Sequence, residues 1–416
     1  MPSEISQRDI IIVGQQPWDV TIGSNCKNIA LEFSRQNRVL YVNSPLDRIT
    51  SIRNRKDPGV DKRLQVINKK ENGLVPVRDN LWVLYPDCLV ESVNWITNEP
   101  IFDLINRYNG KKFAGSIMTA LAALGFSDFI LFNDNEIIKC FYLSEFLKPA
   151  CSIYYSRDYI LATEYWKKHG TRLEPLVIKA NDICVANSLY LQSYCKQYNR
   201  HSFYVGQGCE LDLFDRGHYE MPEELKHIGG PIIGYVGAIL AMRLDIEILK
   251  YIAINRPGWT IVLVGPEDKT FEKSELHNFS NIIFTGSQSS ERLPEFINSF
   301  HVCINPQVLN ELTIGNYPRK VDEYLALGKP VVATATKAME TFADYVYLAE
   351  SKDAYVDLIT MAMASDSPAL AGKRRSFART HTWANSVKEI YTAINSVEST
   401  NIKLITSTRH EPDAAL

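Results

Sequence analysis

The sequence predicts an α/β protein of two domains, each built on a mainly parallel sheet with helices on both faces. Short apolar runs alternate with helical stretches along the chain, which is the pattern of strand–helix–strand units. The pattern starts again after a polar bridge at residues 216–230, and 416 residues exceed what one ordinary core uses. Several strands end in glycine, which favours a ligand crevice at their carboxyl ends.

The first half of the chain opens with a buried strand at Asp9–Gly14, where an apolar run ends in glycine. A helical pattern follows at Asn25–Gln36. We expect further strands at Arg38–Val42, Leu81–Tyr85, Phe129–Phe132, Cys151–Tyr155 and Asp182–Ala186. The longest apolar segment, Phe113–Phe132, contains Gly125 and Asp128, so it predicts a core helix and a strand and not a membrane span.

The second half repeats this arrangement. Strands with their glycine or proline turns are expected at Pro231–Gly237, Thr260–Pro266, Asn281–Gly286, Val302–Pro306 and Pro330–Ala333. We therefore place an N-terminal domain at residues 1–215 and a C-terminal domain at residues 228–382. A last helix at 383–397 precedes a polar tail at 398–416 that we expect to be loosely ordered.

The composition argues against several classes of protein. Charged residues make up 22% and apolar residues 45%, and a net charge of −3 gives no general attraction to nucleic acid. The eight cysteines contain no CxxC pair, and the polar start at Met1–Asp9 lacks the apolar core of a signal peptide. These features favour a reduced, cytoplasmic protein without a zinc site.

The stretch Asn310–Ala333 is the most informative part of the chain. Pro318 suits the first position of a helix, where its missing N–H costs nothing, and Gly328 suits the left-handed residue that ends a helix. Pro330 prevents continuation and precedes a buried strand. Such a helix directs its free N–H groups and its positive dipole end at the preceding loop, which makes that loop a candidate anion site.

Two charged side chains share one face of this helix. Lys320 is in the first turn, and Glu323 lies three residues later on the same face. An ion pair of Glu323 with Lys320 or Arg319 on an ordinary surface helix would explain the same residues. No G-x-G-x-x-G motif lies in a strand-to-helix turn, and the Gly-Lys pair of the stretch is followed by proline, so redox dinucleotide binding and P-loop chemistry are disfavoured.

Several segments resemble the motifs of GT-B glycosyltransferases and occur in the same order. They are Tyr235-Val236-Gly237, Val264-Gly265-Pro266, Phe284-Thr285-Gly286, Val205–Phe214, Ala180–Ser188 and Thr382-Trp383. The chain is most similar to the GT4-like, group 1 enzymes of bacterial polysaccharide and teichuronic acid biosynthesis. The resemblance covers residues 8–397 and is strongest over 180–390.

The resemblance implies the GT-B fold, in which two Rossmann-like parallel-sheet domains face each other across a cleft and the last helix returns to the first domain. A UDP- or GDP-linked sugar donor would bind mostly to the second domain and the acceptor to the first. The residues that match the donor site are Gly237, Arg243, Gly265, Pro266, Asn316, Tyr317, Lys320 and Glu323. No metal and no further cofactor is implied.

Three of these matches carry specific roles. Glu323 matches the carboxylate that accepts hydrogen bonds from ribose hydroxyls, for which two acceptor oxygens are suited. Arg243 matches a cation that stabilises charge on the leaving diphosphate. Lys320 would add charge at the same group. An ion pair of Arg243 with Asp245 or Glu247 at a helix start remains an alternative for Arg243.

One position departs from the family. In the family's E-x7-E motif the first glutamate lies eight residues before the second, and here that position is Gly315. The nearest acidic residue upstream is Glu311, which lies outside the spacing. The carboxylate that usually contacts the donor sugar is therefore missing or displaced. The choice between retention and inversion stays open.

A catalytic base would come from a loop of the first domain. Asp19 follows the first strand and lies beside Trp18, an aromatic residue that could stack on a sugar. Asp158 follows another strand, in the region where relatives carry "Y-D-x-x-D". Each of the two aspartates could instead be a helix N-cap or a turn residue.

The segment Arg48–Lys70 is rich in cations. It contains Arg48, Arg53, Arg55, Lys56, Lys62, Arg63, Lys69 and Lys70. A solvated loop would explain this composition. Contact with an anionic acceptor or with an acidic membrane surface is the other interpretation, since each cation near such a surface contributes about 1 kcal/mol. The second interpretation would place the protein peripherally at the inner membrane face.

The leading hypothesis is a nucleotide-sugar-dependent hexosyltransferase that acts on a saccharide, lipid-linked or small-molecule acceptor in polysaccharide or glycoconjugate biosynthesis. A catalytically degenerate GT-B scaffold, which binds a nucleotide sugar or a partner without turnover, is the alternative that Gly315 favours. A GT-B epimerase is a third hypothesis, but the sequence shows no histidine or carboxylate cluster for it.

Overall fold

The computed structural model describes residues 5–19, 24–214 and 217–408. The chain forms two compact units: unit 1 comprises Met1–Gly206 and Ser386–Leu416, and unit 2 comprises Gln207–Asn385. Residues 1–4, 20–23, 215–216 and 409–416 lie outside the described part, so the predictions for the extreme N-terminus and the end of the tail fall there in part. No helix of the described part is both long and apolar enough to cross a bilayer.

Unit 1 contains an eight-stranded sheet with the strand order β10-β9-β8-β7-β1-β2-β5-β4, in which only the β4–β5 pair is antiparallel; β3 and β6 pair separately. The strands are β1 (Asp9–Gly14), β2 (Arg38–Asn43), β3 (Leu46–Asp47), β4 (Leu74–Arg78), β5 (Leu81–Leu84), β6 (Leu89–Val90), β7 (Ile130–Asp134), β8 (Cys151–Ser156), β9 (Ile183–Ala186) and β10 (Ser202–Tyr204). The helices are α1 (Asn25–Phe33), α2 (Arg48–Arg53), α3 (Pro58–Ile67), α4 (Glu99–Leu124), α5 (Leu143–Leu147), α6 (Glu164–Ala180) and α7 (Leu189–Lys196).

Unit 2 contains a six-stranded, fully parallel sheet with the order β13-β12-β11-β14-β15-β16. Its strands are β11 (Ile232–Val236), β12 (Thr260–Val264), β13 (Ile282–Phe284), β14 (Val302–Asn305), β15 (Val331–Thr334) and β16 (Tyr347–Ala349). Its helices are α8 (Ile246–Asn255), α9 (Lys269–Glu272), α10 (Leu293–Ser299), α11 (Arg319–Ala326), α12 (Lys352–Ser365) and α13 (Pro368–Ala378). The last helix, α14 (Trp383–Thr408), begins in unit 2 and continues in unit 1.

Alternation along the strands of unit 2 explains why both faces of its sheet are covered. Ile233 and Tyr235 of β11 belong to one buried cluster with residues of α8 and α12, whereas Ile232 and Val236 belong to another with residues of α10 and α11. Successive side chains of a strand point to opposite faces, so a sheet with two apolar faces needs helices on each side.

The strands predicted in each half are present to within one or two residues at their ends. Five strands were not predicted from the sequence, namely β3, β4, β6, β10 and β16, which are two to five residues long. Short strands leave too few alternating positions to be recognised. Strand β4 contains a proline at position 76, and it pairs at the edge of the sheet, where proline is tolerated.

The boundaries of the units differ from the predicted ones. The change lies at Gly206, so residues 207–214, predicted to end the N-terminal domain, belong to unit 2 together with the bridge. Phe214 and Leu225 are buried in the core of unit 2. Helix α14 continues to Thr408, beyond the predicted end at Val397. The reason is that no glycine or proline interrupts the chain between these two residues.

Candidate active site

The carboxyl ends of β11 and β12 meet in a close backbone contact. Gly237 follows β11 with φ +136°, and Gly265 follows β12 with φ +147°. A Cβ atom on Gly265 would lie 2.1 Å from the carbonyl oxygen of Gly237, so a side chain there would collide with backbone. Glycine is required at both positions, by conformation and by space. The carbonyl of Pro266 accepts a hydrogen bond from the N–H of Ile239 at 2.8 Å and holds the two loops together.

Lys320 lies directly against this turn. Its Nζ donates a hydrogen bond to the hydroxyl of Tyr235 at 2.8 Å and lies 4.6 Å from the centroid of the same ring. A Cβ on Gly237 would be 3.0 Å from Cε of Lys320. The first turn of α11 therefore places an ammonium group at the carboxyl end of β11, where parallel sheets bind ligands.

Helix α11 begins one residue later than the sequence predicts. Pro318 is its N-cap, and no side chain of the described residues caps the helix. Gly328, with φ +74°, follows the helix end as predicted. The N–H groups of Arg319 and Val321 already donate to the carbonyls of Tyr317 and Pro318, at 3.1 and 2.8 Å. The N–H of Lys320 and the positive end of the helix dipole are therefore the features of the α11 N-terminus that suit an anion beside the Lys320 ammonium.

Glu323 lies one turn after Lys320. Its carboxylate lies 3.6 Å from the guanidinium of Arg319. Of the two ion pairs considered from the sequence, with Lys320 or with Arg319, the pair with Arg319 forms. Burial raises the pKa of Glu323, while the charges of Arg319 and Lys320 act in the opposite direction. The side chain is 16% exposed, which leaves a carboxylate that can still accept hydrogen bonds from a ligand.

A buried cluster supports the loop before α11. The Tyr317 hydroxyl donates to Asp322 at 2.8 Å, and His381 Nδ1 lies 2.6 Å from the other carboxylate oxygen. Asp322 is fully buried, and burial raises its pKa, although its bonds with His381 and Tyr317 oppose this. Tyr317, predicted to bind the donor, thus has a structural partner, and its neighbour Asn316 is 8% exposed.

Arg243 lies in the loop between β11 and α8 with an exposed side chain. Its backbone carbonyl accepts a hydrogen bond from the N–H of Val308 at 3.0 Å. The alternative ion pair does not form with either predicted partner in the described part of the chain, because Asp245 instead caps α8 through the N–H groups of Glu247 and Ile248. Arg243 is therefore available to a ligand at the edge of unit 2.

Gly315 is buried in the loop before α11. Glu311, the nearest acidic residue upstream, is exposed four residues away along the chain. The site therefore has a cation, a helix N-terminus and one carboxylate, but Gly315 contributes no side chain where the family's first carboxylate is expected.

Asp19 of unit 1 forms a bidentate ion pair with Arg63, with oxygen–nitrogen distances of 3.1 and 3.2 Å. Burial acts to raise the pKa of Asp19, but the hydrogen bond and charge of Arg63 outweigh it and the pKa is lowered. A carboxylate with a lowered pKa holds a proton weakly, so Asp19 is a poor general base while Arg63 remains bound.

Asp158 belongs to a charged network at the carboxyl ends of β1, β7 and β8. Arg157 donates to Asp158 at 2.6 Å, to the fully buried Asp134 at 2.8 Å and to the Gln15 side chain at 2.9 Å. The Asp158 side chain is 40% exposed. Of the two predicted bases, Asp158 thus has the more accessible carboxylate.

The partners that hold these groups were not predicted from the sequence; they are Tyr235, Asp322, His381, Arg157 and Asp134. Each meets its partner across a large sequence separation or between elements. One signal was present for Asp134: polar residues follow the apolar run of β7, as they do at ligand-binding strand ends.

Two cavities open at the carboxyl side of the sheet in unit 1. The Trp95 cavity, of about 450 Å³, has Gln15, Trp95, Glu136, Lys139 and Tyr165 in its wall. The Asp19 cavity, of about 650 Å³, has Asp19, Lys62 and Arg63 in its wall. Ser44, Asp47, Thr50 and Lys139 line both, so the cavities adjoin.

The whole described chain has the fold of GT-B glycosyltransferases. Sucrose-phosphate synthase from Thermosynechococcus elongatus superposes with a TM-score of 0.64 and 14% identity over 95% of this chain and 100% of that one. HepE from Anabaena, in complex with UDP, gives 0.64 and 13% over 94% and 100%. The α/β class and the GT-B fold predicted from the sequence are confirmed.

The sequence comparisons match part of the chain to known glycosyltransferases. Residues 230–365, which contain most of the unit 2 site, match the family described as Glycosyl transferases group 1. TuaH of Bacillus subtilis strain 168, described as a teichuronic acid biosynthesis glycosyltransferase, is 30% identical over 205 residues. The match covers 46% of this chain and spans half the length of TuaH. The resemblance to group 1 glycosyltransferases is confirmed.

The cluster around Asp322 generates a stability prediction. Replacement Asp322→Ala leaves the Tyr317 hydroxyl and His381 without their buried partner, so we expect a loss of about 2 kcal/mol in the free energy of unfolding. Chemical denaturation followed by circular dichroism measures this loss. The exposed Asp344→Ala is the matched control and should change stability little. Equal stability of the two variants would contradict a supporting role for Asp322.

Proposed function

We propose that this protein is a glycosyltransferase that transfers a sugar from a nucleoside-diphosphate sugar to an acceptor in polysaccharide or glycoconjugate biosynthesis. One observation carries the proposal: the Lys320 ammonium lies 2.8 Å from the Tyr235 hydroxyl, against the glycine turns that end β11 and β12. A cation, a helix N-terminus and close-approaching backbone at one place suit a diphosphate.

The comparisons support the class of reaction in this proposal. The family match lies over the same segment as Lys320 and Glu323. Solved structures of HepE hold UDP and UDP-glucose, which makes UDP the first nucleotide to test here. TuaH supports polysaccharide biosynthesis as the setting.

The residues of unit 2 would divide the work of donor binding. Lys320, the N-terminus of α11 and the exposed Arg243 would hold the diphosphate and stabilise the charge that develops as it leaves. Glu323 would accept hydrogen bonds from the ribose hydroxyls. In this proposal the positive charge comes from the chain itself, so we expect activity to persist in the presence of a metal chelator.

A degenerate scaffold is the second candidate function. Gly315 provides no carboxylate to the donor sugar, and Asp19 is bound by Arg63. Such a scaffold would bind UDP but would not transfer the sugar. No UDP would then form from UDP-glucose when acceptors are supplied. Asp158, whose carboxylate is 40% exposed beside Arg157, is the base that we propose for the active enzyme.

We further propose that unit 1 touches an anionic membrane surface through α2 and the loop that follows it. Ile52 is 70% exposed there, beside the exposed Arg53, Arg55 and Lys56. An apolar side chain among cations suits an interface with anionic lipid. This contact would place the enzyme at the cytoplasmic face of the membrane.

Other cations of the basic segment have intramolecular partners, which weakens the interpretation as a site for an anionic acceptor. Arg48 binds Glu91, Arg63 binds Asp19 and Lys69 binds Asp87.

UDP should raise the melting temperature of the protein, because a ligand that binds only the folded state stabilises it. Lys320→Ala and Glu323→Ala should each reduce this shift, since they remove a diphosphate contact and a ribose contact. Lys373→Ala and Glu350→Ala, which are exposed elsewhere on unit 2, should retain the full shift. Thermal shift measured at several UDP concentrations checks these expectations. No shift with UDP, GDP or their sugars would overturn the donor site.

The triple variant R53E/R55E/K56E reverses the charge of the three exposed cations at the end of α2 and in the loop that follows it. It should no longer sediment with vesicles that contain anionic lipid. The charge attraction is lost while the fold is kept, because these side chains are exposed. The control K168E/K179E/K196E makes the same change in net charge on exposed positions of α6 and α7. Equal binding of both variants, or binding that is independent of salt, would contradict the proposed membrane contact.

A further inference from the structure

The Trp95 cavity lies where open α/β sheets bind ligands. Gln15, Ser44 and Glu136 of its wall follow the carboxyl ends of β1, β2 and β7. Its volume of about 450 Å³ is in the range of small-molecule sites. The network of Arg157 and Asp158 reaches it through the Gln15 side chain.

Two aromatic side chains are exposed at this cavity. Trp95 is 69% exposed, and its indole N–H donates to the carbonyl of Ser92 at 2.8 Å, which fixes the ring. Tyr165 is 58% exposed and lies edge-on to Trp166, with 5.1 Å between the ring centroids. Asn94 donates to the Tyr165 carbonyl at 3.1 Å and links the two segments. Fixed aromatic faces in contact with water suit a ligand that has an apolar face of its own.

The polar part of the wall offers hydrogen bonds. Lys139 donates to the hydroxyl of Ser44 at 3.0 Å and to the carbonyl of Pro45 at 3.2 Å. An ammonium group has three N–H donors, so one remains for a ligand. Lys139 lines both cavities, and this donor therefore serves a ligand that occupies the boundary between them.

The charges of the wall disfavour a phosphate. Three carboxylates, Asp47, Glu91 and Glu136, line the cavity with one lysine, Lys139. The ion pair with Arg48 compensates the charge of Glu91, so Asp47 and Glu136 remain against Lys139. Asp47 accepts hydrogen bonds from Thr50 and Ser92, and Glu136 accepts from the N–H groups of residues 138 and 139, so both carboxylates are fixed in place. An anionic ligand would meet like charge there, whereas hydroxyl groups would not.

We propose that the Trp95 cavity binds the acceptor of the transfer reaction and that this acceptor presents an uncharged saccharide. A sugar ring has an apolar face for Trp95 and Tyr165 and a rim of hydroxyls for Lys139 and the polar wall. The inference rests on the proposed function, since it assigns the second substrate of the same reaction. A saccharide at the boundary of the cavities directs its hydroxyls towards the wall that carries Gln15 and Lys139.

Tryptophan fluorescence titration with neutral disaccharides at millimolar concentrations, and with glucose 6-phosphate for comparison, tests the proposal. We expect at least one disaccharide to bind the wild type and glucose 6-phosphate to bind more weakly. Trp95→Ala should weaken binding of that disaccharide by about tenfold, since a stacking face is lost, and Trp95→Phe should retain most of the affinity. Calorimetry measures the affinity of the Trp95 variants, because they lose a fluorophore. Lys139→Met should weaken binding as well.

Leu176→Ala, at an exposed position of α6 outside both cavities, is the matched control and should bind as the wild type does. The UDP thermal shift is measured on the same samples. A normal UDP shift without disaccharide binding, or with equal binding by Trp95→Ala, overturns the acceptor site and leaves the donor site standing. Loss of the UDP shift in the wild type overturns the proposed function as well. Tighter binding of glucose 6-phosphate than of the disaccharides overturns the assignment of an uncharged saccharide.

Discussion

The contact between Lys320, Tyr235 and the glycine turn after β11 is the constraint on which the unit 2 site depends. The ammonium group is held at 2.8 Å from the Tyr235 hydroxyl, so its position is set before any ligand arrives. Gly237 and Gly265 leave the space that this arrangement needs, because a Cβ on Gly265 would lie 2.1 Å from backbone. A charge that is already positioned costs little reorganisation during transfer of a sugar. The Asp322 cluster then secures the helix that carries Lys320.

Arginine side chains control the carboxylates of unit 1. Arg63 binds Asp19, and Arg157 joins Asp158 to the buried Asp134 and to Gln15. The bond and charge of Arg63 lower the pKa of Asp19, so this carboxylate has less capacity to take a proton. The enzyme that we propose would use Asp158, whose carboxylate is the more exposed end of this network.

Much of the fold follows from local sequence signals. The buried partners that hold the site residues in place do not. Runs such as Asp9–Gly14 and the glycine after β11 predict strands and turns, since the apolar period and the positive φ are local properties. The same logic located Lys320 and Glu323 on one face of α11. In contrast, the bond of Asp322 to His381 joins residues 59 positions apart. The unit boundary at Gly206 depends on where Phe214 and Leu225 are buried, which is a property of packing and not of local pattern.

Amide hydrogen exchange with and without UDP tests the central claim most directly, because it reports the position of the nucleotide on the unmodified chain. A diphosphate held by Lys320 and the N-terminus of α11 should slow exchange at the amides of Ala238, Leu240 and Lys320, which donate to no backbone carbonyl in the described part of the chain. The amides inside β14 and β15 should exchange equally in both states, since they are already bonded in the sheet. Protection confined to the cavities of unit 1, or no protection at saturating UDP, would contradict a donor site in unit 2.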